Sequence, residues 1–448
     1  MAKSIQPPAL GPELADQIPR FMIMERDVEV EFRPQMLEAL QKRVDAEADL
    51  IEVPGCRACG LAMKRHDTRS VGWTARFGQV TAKVARYRCP ACGTEQRPLL
   101  DRLGVEAGQI SGALARLLAL LATVAPYGLA AQLAWLLMGV RVNAMTVWRA
   151  AQRLGQAAAS YDEKLSLYHA DDRSKGAPPE EPAKAVVLAV DGCVLGMQVR
   201  ARRRRRKADE TLPPLPAVKE GQFREVKTGV LLRPEERVET SPERRSVVRR
   251  ILVSCLGTAD DIFHRLYARL RESGWMTEET TVVIVGDGAE WIWNRAKLYV
   301  RRCEILDFWH ALEHAWEFAR LRYGVGSSEA DRWVGKIAED LKAGKVEQVI
   351  AQLKRLRPKT AELQQSLESL IHYYTANVTR MWYDEYLRLG YGIGSGSVES
   401  AHKQVVHARF RQAGMRWSEA GARRLLALRL LLLNDNWKLL DQLRMADI

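Results

Sequence analysis

Hydrophobic and polar positions follow two patterns along the chain, one on either side of residues 171–183. On the N-terminal side the spacing is mostly helical. Residues 1–50 read as a leader with helical segments around Pro12–Pro19 and Arg33–Leu50. Within 51–100, the stretch Gln79–Tyr87 alternates in the manner of a strand. Residues 101–170 are alanine- and leucine-rich and helical. Leu117 to Val140 runs for 24 residues without a charge, which is bilayer-spanning length. Its centre, however, is Pro126-Tyr127-Gly128, which ends a helix, and Arg116 and Arg141 flank it without charge asymmetry. The expectation is two short buried helices and a turn, with no membrane span.

Residues 171–183 are polar and proline-containing, as a domain linker is. The pattern then changes to continuous apolar runs. Ala185–Val190 ends at Asp191-Gly192, and Thr280–Val285 ends at Gly286-Asp287-Gly288. Phe223–Leu232, Val247–Cys255 and Cys303–Leu306 are further strand candidates, and Asp260–Ser273 reads as a helix. Runs that are apolar on both faces suit strands covered by helices on both sides, so this half is expected to be α/β. From Asp307 to about Arg388 nearly everything is helical, and Ser397–Trp437 is helical and strongly basic.

Composition narrows the class. The 448 residues hold 68 Lys and Arg against 55 Asp and Glu, a formal charge of +13. Hydrophobic residues at 47% and charged ones at 27% exclude a disordered chain or a disulfide-dense mini-protein. The surplus favours a polyanionic partner, either nucleic acid or an acidic membrane face. The opening stretch, MAKSIQPPALGPELADQ, has no apolar core of signal-peptide type.

Four of the 7 cysteines form two matched knuckles, Cys56-Arg57-Ala58-Cys59-Gly60 and Cys89-Pro90-Ala91-Cys92-Gly93. Each puts two thiols on a tight turn whose glycine allows positive φ, and two such turns joined by a strand-bearing segment make a four-thiolate zinc ribbon. Cys193, Cys255 and Cys303 lie in or beside strands and read as packing residues. Tyr127–Gly155 parses as helix, turn, helix. The turn is Gly139–Val142, and Asn143 caps a second helix, Ala144–Leu154. That helix is expected to turn Trp148 and Leu154 inward and Thr146, Arg149, Gln152 and Arg153 outward, toward a DNA groove. An ordinary helical hairpin is the plainer alternative.

Asp191 and Asp287 share a context, a buried strand ending in Asp-Gly. If the strands are neighbours, both carboxylates leave the same sheet end, and a divalent cation is their natural partner. Glu399 follows the glycine-rich Gly392-Ile393-Gly394-Ser395-Gly396 in the first turn of a helix. These motifs, with Trp291, Trp293 and Gly414-Met415-Arg416-Trp417, resemble bacterial insertion-sequence transposases of the Kra type, within the Asp-Asp-Glu transposase superfamily. The resemblance runs through most of residues 50–440.

That resemblance implies an RNase H-like catalytic core, 184–306, a helical insertion, 307–390, and C-terminal core helices, 391–448, carrying the glutamate. Ahead of them stand the leader (1–50), the zinc ribbon (51–100), a helix-turn-helix-like DNA-binding module (101–170) and the linker (171–183). It implies Asp191, Asp287 and Glu399 as a triad holding two Mg²⁺ ions, with Mn²⁺ able to substitute. Asp307-Phe308-Trp309-His310 resembles an Asp-x-x-His signature, making Asp307 and His310 auxiliary. The reaction implied is cleavage at element ends, then attack of the freed 3′-hydroxyl on target DNA. The partner that the resemblance implies is double-stranded DNA, with a homo-oligomer assembled on it, in a bacterial cytoplasm at the nucleoid.

The basic residues fit such a partner. In Arg200–Lys207, 7 of 8 residues are basic (Arg202, Arg203, Arg204, Arg205, Arg206 and Lys207 among them), which suits a phosphate clamp beside Asp191. A solvated charged loop is its plain alternative. Arg409, Arg411, Arg416, Arg423, Arg424 and Arg429 follow Glu399, and Lys403 is placed to pair with Glu399 or with phosphate. Three rivals stand beside this reading. One is a DNA-binding protein without catalysis. Another is a different RNase H-like nuclease such as a resolvase. The third is a zinc metalloprotease, because His310-Ala311-Leu312-Glu313-His314 fits His-x-x-Glu-His.

Overall fold

The computed structural model describes residues 19–105, 109–171, 183–198, 222–241, 244–247 and 249–443. The chain separates into two compact units, Met1–Ala150 and Ala151–Ile448.

The described part of the first unit begins with helix α1, Arg20–Asp49, whose 30 residues extend well ahead of the expected Arg33–Leu50 and include Pro34. Leu37, Leu40, Val44 and Ala48 pack on a hairpin of β1 (Lys64–Ala75) and β2 (Gly78–Arg88). Alternation in β2 works as the pattern requires: Val80, Ala82 and Val84 go inward, while Thr81 and Lys83 face water. A short β3, Glu95–Gln96, pairs with β2, and α2 (Pro98–Leu103) follows. Helices α3 (Gly112–Val124) and α4 (Tyr127–Met138) are separated at Pro126, as expected from the sequence. Among the described residues no helix is long and apolar enough to cross a membrane.

Gly139, at φ 63°, closes α4 in the left-handed region. Asn143 then caps α5, accepting the Thr146 N–H at 2.8 Å. Helix α5 runs from Ala144 to Asp171, far past the expected Leu154, and the division between the units falls inside it.

The second unit is mixed α/β around a five-stranded sheet. Strands β4 (Ala185–Gly196), β5 (Phe223–Leu232) and β8 (Arg250–Cys255) form an antiparallel meander. Strands β9 (Thr281–Gly286) and β10 (Arg302–Leu306) continue it in parallel from the other side of β4. The order across the sheet is β10-β9-β4-β5-β8. Both faces are covered, as the apolar runs predict: every residue of Ala185–Val190 is buried, as are Val282–Gly286.

Two expectations are corrected here. Strand β4 does not end at Asp191-Gly192 but runs to Gly196, because β5 pairs with it from Val187 to Gly196. Strand β8 starts at Arg250 rather than Val247. Residues Arg244–Val247 form β7 instead, in a separate hairpin with β6, Arg237–Ser241.

Helix α6 (Ala259–Glu272) covers one face and starts with a Thr258–Asp261 capping box. Its Leu266 presses on Gly229 of β5, where a Cβ would come within 2.7 Å of the leucine methyl and push that side chain aside. Helix α7, Glu290–Ala296, follows β9. After β10 come α8 (Phe308–Tyr323), α9 (Ser328–Lys342), α10 (Val346–Arg355), α11 (Ala361–Asn377) and α12 (Tyr383–Arg388). Tyr383 and Tyr386 tie this helical block to β10, donating to the carbonyls of Leu306 (3.1 Å) and Glu304 (3.3 Å).

The chain returns to the sheet as α13 (Gly396–His402), a π-helical turn (Lys403–His407), α14 (Ala408–Phe410), α15 (Glu419–Leu433) and α16 (Leu439–Gln442). Helix α13 packs on β4 and β5, and α15 on β8. The outer edge of β8 is closed by Asn434, whose carboxamide exchanges two hydrogen bonds with the Leu252 backbone at 2.8 and 2.9 Å.

Candidate metal and carboxylate sites

The four cysteines of the knuckles converge. Cys56 Sγ lies 3.5 Å from Cys92 Sγ, Cys59 lies 3.4 Å from Cys89, and Cys59 lies 3.7 Å from Cys92. A tetrahedron of thiolates at about 2.3 Å from zinc has sulfur–sulfur edges of about 3.8 Å, so the spacing suits that ion. The knuckles are built alike. Gly60 and Gly93 have φ of 77° and 72°, and their N–H groups return to the carbonyls of Cys56 and Cys89 at 2.8 and 3.1 Å. The Thr94 hydroxyl, 3.1 Å from Cys92 Sγ, and its N–H favour the thiolate of Cys92, which a metal requires. The four cysteines can therefore bind a metal such as zinc.

In the second unit, strand register aligns three aspartates. Strands β4 and β9 pair from Ala185↔Thr281 to Ala189↔Val285, and β10 and β9 from Arg302↔Val282 to Leu306↔Gly286. Carrying both alignments past the last paired residues sets Asp191, Asp287 and Asp307 in one row, Asp287 and Asp307 just past the carboxyl ends of β9 and β10 and Asp191 within β4 at the same level. Adjacent positions in such a row are about 4.8 Å apart.

The three carboxylates differ in environment. Asp191 Oδ1 accepts the Gly192 N–H at 2.6 Å. Burial raises its pKa, with the charges of Asp287 and Glu225 adding, against the Gly192 hydrogen bond and His310, which lower it. Asp287 Oδ1 accepts the Ala289 N–H at 3.0 Å, and its carbonyl accepts the Tyr373 hydroxyl at 2.6 Å. Asp307 is buried and caps α8, accepting from Trp309 N–H (2.6 Å) and His310 N–H (2.9 Å).

Burial alone would raise Asp307. The hydrogen bonds from His310 and Ser395 outweigh it and hold the carboxyl at about 2. The Asp307 carboxylate in turn raises His310 to about 9, against the opposing effect of burial. His310 Nδ1 stands 3.6 Å from Asp307 Oδ1.

A pH dependence follows. With the folded pKa of Asp307 depressed, its contribution to stability is present above about pH 4 and is lost as pH falls toward 2. With His310 raised, its contribution is full below about pH 6.5 and is lost as pH rises through 9. Calorimetric melting of the wild type should therefore show the pair's full contribution between about pH 4 and 6.5. Asp307→Asn should flatten the melting temperature on both flanks of that window. Equal flanks in the two proteins would refute the assignment.

Glu399 lies in the first turn of α13 and is exposed. Among the described residues it does not join Asp191 and Asp287 within ligand reach, and the thiolate cluster is the one group of three or more candidate ligands that does converge. Lys403 is exposed and, among the described residues, makes no ion pair with Glu399. The side chain of α13 that turns toward the row is His402, one turn further on. It is buried, and its Nδ1 is 3.6 Å from Asp191 Oδ2. Burial, with His407 nearby, lowers it to about 4 and so keeps it neutral. The signal available in the sequence was a histidine one turn beyond Glu399 on the same helix, next to the apolar Ala401.

The two histidines of the His-x-x-Glu-His stretch have separate partners. His310 faces Asp307, while His314 sits against Tyr373 at 4.0 Å between ring centroids and 3.5 Å from Glu317. Among the described residues no third ligand joins them. Cys193, Cys255 and Cys303 behave as packing residues, burial pushing their thiols up to about 11, 12 and 11.

The basic residues divide. Arg149, Arg411 and Arg416 are exposed and Arg153 is half-buried. Arg411 lies 2.9 Å from His407 Nε2, and Arg416 sits over the Phe223 ring at 5.7 Å. Arg409 is not at the surface: it is 1% exposed, with its guanidinium over Trp417 at 5.2 Å. Arg429 is also buried, donating to the carbonyls of Gln404 and Val405. In α5, Trp148 points outward and Gln152 is buried, the reverse of the expected faces. Arg202–Lys207 lie outside the described residues.

The chain matches no protein-family model, and no curated protein is significantly similar to it.

Proposed function

We propose that the chain is a metal-dependent DNA transposase of the Asp-Asp-Glu superfamily, cutting element ends and joining the freed 3′-hydroxyl to target DNA. The observation that carries this reading is the row that sets Asp191, within β4, level with Asp287, just past the end of the neighbouring parallel β9, with the charge of Asp287 adding to the rise that burial gives the pKa of Asp191. Two such carboxylates side by side call for a cation, and an all-oxygen donor pair suits Mg²⁺ or Mn²⁺. When bound, such ions activate the attacking oxygen and neutralise charge at the scissile phosphate.

The protein's own groups do the remainder. Asp191 and Asp287 would hold the ions, with Glu399 approaching from α13. His310, protonated beside Asp307, faces the same end of the sheet and can contact a phosphate oxygen. The antiparallel meander β4-β5-β8, extended by parallel β9 and β10, supports an RNase H-like core. In the first unit, zinc on the four thiolates would hold the knuckles as a structural staple. On α5, Arg149, at the end of the first unit, and Arg153, at the start of the second, would each contact DNA.

One observation favours a second reading, a DNA-binding protein without catalysis: Glu399 is exposed and stands apart from the row. Incubating DNA that bears the element's own ends with the protein and Mg²⁺ separates the two. Cleavage supports the transposase, and binding without cleavage supports the silent protein. Binding should also be strongly salt-dependent. Reversing the charges of Arg200–Lys207 should weaken it and lower the slope of log K against log salt by about 0.9 for each phosphate no longer neutralised. An unchanged slope would remove that segment from the interface.

A further inference from the structure

Three aspartates share the row, yet only two leave their oxygens open to a cation. Asp307 is 1% exposed. Its Oδ1 accepts the N–H groups of Trp309 and His310 at 2.6 and 2.9 Å. Its Oδ2 accepts the N–H of Ser395, 88 residues further along. A carboxylate offers about four lone-pair sites, and here backbone donors occupy three. A second bond doubles the junction, from Phe308 N–H to the Ile393 carbonyl at 2.9 Å. The Trp309 ring lies against it, so close that a Cβ on Gly394 would sit 3.0 Å from the indole.

Ser395 immediately precedes α13, the helix that carries Glu399 and His402. The segment leading to it, Gly392-Ile393-Gly394, is rich in the residue that loses most conformational freedom on ordering. A fixed anchor for such a segment sets where the following helix points.

We propose that Asp307 is a positioning residue rather than a third metal ligand. It clamps the Gly392–Ser395 segment to the start of α8, and so fixes the placement of α13, which carries Glu399 and sets His402 beside Asp191. This rests on the reading of Asp191, Asp287 and Glu399 as metal-binding. Asp307 then acts on the metal only through α13.

The test uses the full chain and Mn²⁺ alone as probe, with free ion followed by electron paramagnetic resonance. Asp307→Asn should weaken Mn²⁺ binding about 10-fold, the range for groups that orient ligands. In a Glu399→Gln background the same substitution should cost less than about 2-fold, because the two act as one unit. Ser395→Pro removes the donor while leaving the Asp307 cap of α8 intact. It should reproduce both results, and it decides the matter if Asp307→Asn does not fold. Hydrogen exchange of amides 392–402 should accelerate in Asp307→Asn.

Equal penalties with and without Glu399 would make Asp307 an independent ligand and overturn the proposal. So would unchanged exchange in 392–402. If Mn²⁺ binding by the wild type ignores Asp191→Asn and Asp287→Asn, the metal-site reading itself fails. The transmitted effect falls with it, while the exchange experiment still decides whether the clamp exists.

Discussion

Asp191→Ala and Asp287→Ala should each lower Mg²⁺-dependent cleavage of element-end DNA by about a thousandfold or more. The size follows from what a bound ion supplies at a phosphoryl centre, several kcal/mol, where each 1.36 kcal/mol is a factor of ten. The same substitutions should leave the fold intact. The charges of Asp287 and Glu225 help raise the pKa of Asp191, so removing charge there relieves repulsion. Asp191→Asn should therefore melt a few degrees higher than wild type while losing activity, the trade expected where function keeps like charges together. Glu399→Ala should be as inactive as the aspartate variants, although Glu399 is exposed. An active Glu399→Ala protein would remove it from the triad, and an active Asp191→Ala or Asp287→Ala protein would remove the site.

The second large effect concerns the thiolates. Stripping metal with a chelator, or making Cys56→Ser or Cys89→Ser, should unfold the knuckles at a lower temperature than the rest of the chain and weaken DNA binding. The reason is local. Cys56 and Cys89 are buried, but their own cluster contains only Met63 and Tyr87 besides, with Ala85 packed against it. So small a core does not hold two tight turns together without an ion. Structural zinc contributes roughly 10 kcal/mol or more to comparable small modules, far above what those few neighbours supply. The separate cluster of Trp73, Val80 and Val84 against α1 should survive. Atomic absorption should find one zinc per chain. Finding none would refute the zinc assignment, and two would restore the case for His310 and His314.

Much of this was legible in the sequence where the signal is local. The knuckles, the break at Pro126, the Asn143 cap and β5 at Phe223–Leu232 are each written within a dozen residues. What escaped depends on partners far along the chain. Nothing in the sequence near Asp191 shows that β4 continues, because β5 supplies the pairing. The position of Asp307 in the row is set by two parallel registers spanning over a hundred residues. Arg409 and Arg429 look like surface charge in a basic segment. Their burial rests on an indole and on main-chain carbonyls that only the fold brings near. Trp148 misled in the opposite direction, since an aromatic at helical spacing usually faces a core.

The π-helical turn at Lys403–His407 carries a consequence of its own. Such a turn is an α-helix with one residue too many, and the surplus leaves carbonyls that Arg429 collects from α15. That extra residue resets the helical phase between the face bearing His402 and the face bearing Phe410. Deleting one residue from 403–407 would restore ordinary helix and release Arg429. It would also swing everything beyond by about 100°, carrying Phe410 away from Trp417, whose indole N–H donates to the Phe410 carbonyl at 3.0 Å. The extra residue therefore acts as a gear tooth, letting one continuous rod face the sheet's acids at one end and its own indole at the other.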